Sequence, residues 1–113
     1  MNHEKAFTLK SGTNKGNRRI WIEGNRLAAN GFRRGTRLAR YMNDGGTMTL
    51  VPVKRDICLP KGVRVHTIAG TADRPILDLC GKWVTEFIGD SERFAVEIRR
   101  DSALGCSMLI YPD

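Results

Sequence analysis

Between Arg18 and Val53 the chain alternates in twos, stops at a glycine, turns briefly, and alternates again. Ile20 and Ile22 share one face of an expected strand, with Trp21 and Glu23 on the other. Gly24 breaks that strand, and Asn25 is placed to cap a helical turn over Arg26 to Asn30. Gly31 follows where a left-handed helix stop belongs. Thr36 to Met42 alternates, Asn43-Asp44-Gly45-Gly46 reads as a hairpin turn, and Thr47 to Val53 is the return strand. The stretch therefore predicts a compact β-α-β-β unit.

The end of the chain repeats this order. Ile76-Leu77-Asp78-Leu79-Cys80-Gly81 parallels the strand that ends in Gly24, and Lys82 to Gly89 parallels the helix and its exit. Phe94, Val96 and Ile98 fall opposite Leu38, Arg40 and Met42, and Gly105 to Pro112 falls opposite Gly46 to Pro52. One β-α-β-β unit cannot cover both faces of its sheet, so a second unit attached in the same chain supplies the missing layer. The expected organisation is a basic, mobile arm over 1–17 and one domain over 18–113. That domain holds two diverged repeats, about 18–56 and 75–113, joined by a hairpin over 57–68. Ala6 to Leu9 is a candidate short edge strand within the arm.

The motif Ile22-x-Gly24-x-x-Leu27-x-x-x-Gly31-Phe32-x-x-Gly35 resembles that of SymE-like proteins, relatives of the AbrB/MazE swapped-hairpin group. The resemblance covers about 35 of the 113 residues, and Arg26 stands where that family often has Trp. Trp83-Val84 supplies the aromatic–aliphatic pair in the second copy. The resemblance implies a mainly β fold, a small β-barrel with short helices, in which two units interlock their hairpins. It also implies DNA binding of the antitoxin or transcription-regulator type, or, as in SymE itself, a toxin acting on RNA.

Charge points the same way from different residues. The net charge is +7, and residues 1–56 carry twelve Lys/Arg against four Asp/Glu, whereas 57–113 carry seven against eight. A strongly basic half beside a nearly neutral one predicts a polyanionic partner for one face. No apolar run approaches membrane-spanning length and the N-terminal residues lack a signal-peptide core, so a cytoplasmic chain without membrane contact is expected. Three widely spaced cysteines, Cys58, Cys80 and Cys106, suggest neither a disulfide framework nor a zinc site, but small buried apolar residues.

No catalytic constellation is expected: His3 and His66 have no evident acid–base neighbours, and no Walker or GxGxxG loop is present. Neither a metal nor a cofactor is called for. The basic constellation is richer. Arg33, Arg34, Arg37 and Arg40 lie within eight residues, and Arg18, Arg19, Arg26 and Lys15 are candidates to join them. Guanidinium forks match phosphates and guanine edges. Arg40 has the parity of Leu38 and so needs a strand end or an opening to reach water. Trp21 and Tyr41 are candidate stacking residues, and Phe32 is expected to plug the core. Three partners follow as alternatives: duplex DNA, which is favoured; RNA; or a protein, held through the second repeat or, in an inhibitor carried by a mobile element, docked on the basic face. The repeat is compatible with a monomer or a homodimer.

Overall fold

The computed structural model describes residues 5–101 and 105–113. The chain runs through β1 (Lys5–Lys10), β2 (Gly12–Asn14), β3 (Asn17–Glu23), α1 (Asn25–Ala28), β4 (Arg37–Met42) and β5 (Met48–Val53). It continues through β6 (Arg64–Thr67), β7 (Ala69–Gly70), β8 (Pro75–Cys80), α2 (Lys82–Ile88), β9 (Arg93–Asp101) and β10 (Gly105–Pro112). The fold is mainly β, as expected. Its strands form two antiparallel sheets rather than one closed barrel: β1-β9-β10-β5-β4-β6 and β2-β3-β8-β7. Period-2 alternation aims Ile20, Ile22, Leu77 and Leu79 from the smaller sheet, and Leu38, Leu50, Phe94, Val96, Met108 and Ile110 from the larger, into one shared core. Leu27, Val84 and Ile88 of the helices complete it. Phe32 is fully buried there, the plug its place after Gly31 suggested.

The order edge strand, short strand, strand, helix, hairpin occurs twice, over β1–β5 and over β6–β10. Each half lends its first strand to the other: β1 pairs with β9, and β6 pairs with β4. The pairing defines which residues correspond. Trp21 faces Asp78 across β3 and β8, with Ile20 opposite Leu79 and Ile22 opposite Leu77. Leu50 faces Met108 across β5 and β10. A pseudo-two-fold axis through these two pairs relates Gly24 to Gly81, Arg26 to Trp83 and Phe7 to His66. Gly24 and Gly81 have φ of 85° and 136° and begin α1 and α2, where their carbonyls accept the first amides of each helix. Both lie in a region that glycine alone occupies cheaply.

Several expectations are corrected. The segment 57–59 forms no strand, so there is no hairpin over 57–68; β6 belongs to the second half and pairs across the molecule. Residues 5–17 are not a loose arm, because β1 is hydrogen-bonded along β9 and β2 folds back on β3. Residues 1–4 of that arm lie outside the described residues. Gly24 rather than Asn25 precedes the first helix, and no side chain caps it. Arg40 corresponds to Ile98 rather than to Val96: the partner of Arg40 in β5 is Leu50, the partner of Ile98 in β10 is Met108, and these two face each other. Cys58 is exposed, and Cys80 and Cys106 are half-buried, with Cys106 packed against the core, so none is fully buried. No helix among the described residues is long and apolar enough to cross a membrane.

Candidate nucleic-acid interface

The exit from α1 is built to hold two arginines out. Gly31 takes φ of 84°, and the amide of Phe32 donates to the carbonyl of Leu27 (2.9 Å), which turns the chain so that Phe32 enters the core. Arg33-Arg34-Gly35-Thr36 then forms a tight turn closed by Thr36 N to Arg33 O (3.0 Å), with Gly35 at φ of 92° in the third position. The Arg33 amide also donates to Thr36 Oγ1 (3.2 Å). Gly35 N to Ile68 O (2.8 Å) and Ile68 N to Thr36 O (2.9 Å) pin the turn to the segment after β6. Arg33 and Arg34 are exposed on this anchored turn.

From there the basic residues continue along the β4/β6 edge of the larger sheet. Arg37 stands opposite Thr67, and its Nη1 donates to the carbonyl of Arg55 (2.9 Å). Arg40 stands opposite the exposed Arg64. The Arg40 guanidinium lies 3.6 Å over the Trp83 ring, and His66 stacks on the same indole at 5.6 Å between centroids. Arg40 Nη1 lies 3.2 Å from His66 Nε2. A guanidinium can only donate, so Nε2 is the acceptor and the neutral ring carries its proton on Nδ1. Burial, followed by the charge of Arg40, holds His66 below the ordinary histidine range. Burial, followed by the charge of Arg64, lowers Arg40, which remains a cation.

Among the described residues, Arg33, Arg34, Arg37, Arg40 and Arg64 form no ion pair. Lys54, Arg55 and Lys61 are exposed in the connection between β5 and β6, with Asp56 as the acidic residue among them. This edge therefore concentrates cationic donors that the protein itself does not neutralise. Arg64, His66 and Trp83 were not among the residues expected at this site. They come into place because β6 pairs with β4, which a local hairpin over 57–68 concealed.

The remaining expected contacts lie elsewhere. Arg18 is turned inward, where its guanidinium donates to Ser11 Oγ and to the carbonyls of Ser91 and Gly89. Arg19 makes a two-pronged pair with Asp78 (2.8 and 2.7 Å) and lies 4.3 Å over Trp21. The Asp78 hydrogen bond raises the Arg19 pKa. Arg26 lies 4.4 Å over Phe7, the counterpart of the His66–Trp83 stack in the other half. Lys15 is exposed at the tip of the β2–β3 turn. Trp21 has one ring face under Arg19 and donates its indole N–H to Glu23 Oε1 (3.1 Å). Tyr41 is half-buried on the sheet face that carries Arg37.

Among the described residues no three His, Cys, Asp or Glu gather to hold a metal ion. His66 Nε2 is occupied by Arg40, so the one described histidine does not present that nitrogen as a base. The arrangement suits binding: two exposed arginines on a backbone-anchored turn and an Arg40 guanidinium held over Trp83, none in an ion pair among the described residues. No protein-family model, curated protein or solved structure matches this chain.

Proposed function

We propose that the β4/β6 edge binds duplex DNA and that the protein acts as a regulator or antitoxin-type module; the SymE-like resemblance of its first half is part of this reading. The observation that carries it is the anchored, exposed Arg33–Arg34 turn leading into a strand edge with Arg37 on one face and Arg40 opposite Arg64 on the other, none paired to a carboxylate among the described residues. Arg33 beside Arg34 at the turn, and Arg40 opposite Arg64 on one face of the edge, put like charges close together with no paired carboxylate among the described residues, a repulsion that phosphates would relieve. A rigid turn with two arginines at its tip fits a B-form major groove, whereas the deep, narrow major groove of A-form RNA excludes side chains.

The test is fluorescence anisotropy with duplex DNA, single-stranded DNA and RNA across a salt series, for wild type and Arg33→Gln/Arg34→Gln. Duplex binding with a steep salt dependence, weakened in the variant, supports the proposal. Preference for RNA would move the assignment to an RNA-directed toxin. Absence of binding to all three near physiological salt, with stable co-purification of one protein, would replace it with a protein-binding inhibitor.

A further inference from the structure

The two halves differ where the helix meets the lent edge strand. In the second half that junction is filled by the Arg40–Trp83–His66 stack. In the first half Arg26 lies over Phe7 at that junction, and open space remains beside the pair. A groove of about 410 Å³ is lined by Leu9, Trp21, Ile22, Glu23, Asn25 and Arg26. A second hollow of about 230 Å³, which includes Phe7, shares Asn25 and Arg26 with it.

Its polar groups are unusually specific. The Trp21 indole N–H donates to Glu23 Oε1 (3.1 Å) and so orients the carboxylate. Glu23 Oε2 has Arg74 Nε at 3.9 Å, beyond hydrogen-bond distance, and keeps its acceptor capacity. Among the described residues the Asn25 side chain makes no hydrogen bond, and the Arg26 guanidinium is engaged only with the face of Phe7. An ionised carboxylate accepts and cannot donate. Among the four neutral nucleobases, only guanine presents two adjacent donors on its pairing edge, N1–H and the N2 amino group. Its O6 and N7 are acceptors that an arginine fork or an amide N–H satisfies.

We infer that this groove is a guanine-base subsite, in which Glu23 accepts from N1–H and N2–H, Asn25 and Arg26 donate to the O6/N7 side, and Leu9 and Trp21 supply the apolar wall. It is separate from the arginine-rich β4/β6 edge and stands whether or not that edge binds duplex DNA. The same chemistry is offered by a free guanine nucleotide and by an unpaired guanine in a strand.

Isothermal titration with GMP, AMP, CMP and UMP, and with thymidine pentamers with and without a central guanine, tests the site in the full chain. Guanine-containing probes should bind at least about tenfold more tightly than the others, the discrimination expected of one bidentate pair. Glu23→Gln should abolish that preference while leaving the salt dependence of duplex binding unchanged. The glutamine retains an oxygen for the Trp21 N–H, and circular dichroism checks the fold. Equal affinity for GMP and the guanine pentamer assigns the site to free nucleotide, and tighter binding of the pentamer assigns it to a strand. Equal binding of all four bases, or a preference that survives in Glu23→Gln, overturns the inference.

Discussion

Arg40 and His66 sit side by side on neighbouring strands, with Arg40 donating to the Nε2 of a histidine that burial and this same cation keep neutral. The consequence for stability has a definite sign. Because the folded pKa of His66 lies below its ordinary value of 6.5, the unfolded chain takes up the proton first as pH falls. The stabilisation is therefore complete above about 6.5 and is lost as pH descends to the folded value. The denaturation midpoint should fall between about pH 7.5 and about pH 5, and His66→Gln should remove part of that fall. Identical pH profiles for wild type and variant would show that His66 contributes nothing to it.

Arg18 is expected to be structural rather than a nucleic-acid contact. Its guanidinium ties the exit of α2, at Gly89 and Ser91, to Ser11 between β1 and β2. Hydrogen bonds from a charged donor are worth more than neutral ones, so Arg18→Met should destabilise the fold by about 2 kcal/mol. Denaturant titration reads that loss. Nucleic-acid affinity at temperatures where both proteins are folded should be the same for both.

Two glycines separate backbone strain from collision. Gly24 has φ of 85° and ψ of −144°, with open space where a Cβ would stand, so Gly24→Ala should cost about 1–3 kcal/mol from strain alone. At Gly70, with φ of 86°, a Cβ would also overlap the carbonyl oxygen of Arg74 and press on Ile76. Gly70→Ala should therefore be the more destabilising. Melting temperatures of the two variants, compared side by side, decide the order.

The first half was legible because its signals are local. Ile20/Ile22 alternation, the Gly31 stop and the Asn43–Gly46 turn each depend on neighbours in sequence, and the strands appear where those residues placed them, with the helix starting one residue earlier, at Asn25. The larger sheet's order was not legible, because pairing Phe7 with Val96 or His66 with Leu38 is a long-range choice that alternation leaves open. The repeat register shows the same limit. Sliding Arg40 from Ile98 to Val96 moves it two residues and leaves every side chain on its own face, so only the observed hydrogen-bond partners distinguish the two alignments. The site followed suit: Arg33 and Arg34 were readable as a basic pair, whereas Arg64 joins Arg40 through the exchanged strand and Trp83 reaches it from α2, both long-range contacts.

The salt dependence of binding distinguishes the proposed contacts from arginines the protein already uses. Each phosphate neutralised on B-form DNA contributes about 0.9 to the slope of log affinity against log salt. Arg33 and Arg34 are exposed and have no ion pair among the described residues, so replacing both with Gln should lower the slope by about 2 as well as the affinity. Arg19 is the internal control. Its fork is closed on Asp78 at 2.7 and 2.8 Å, and freeing it for a phosphate would leave that carboxylate facing the polyanion. Arg19→Gln should leave the slope unchanged, or raise it if removing one positive charge lets Asp78 repel the duplex. Equal losses from the Arg33/Arg34 and Arg19 variants would mean that binding follows net charge alone, and the β4/β6 edge would then lose its claim to be the interface.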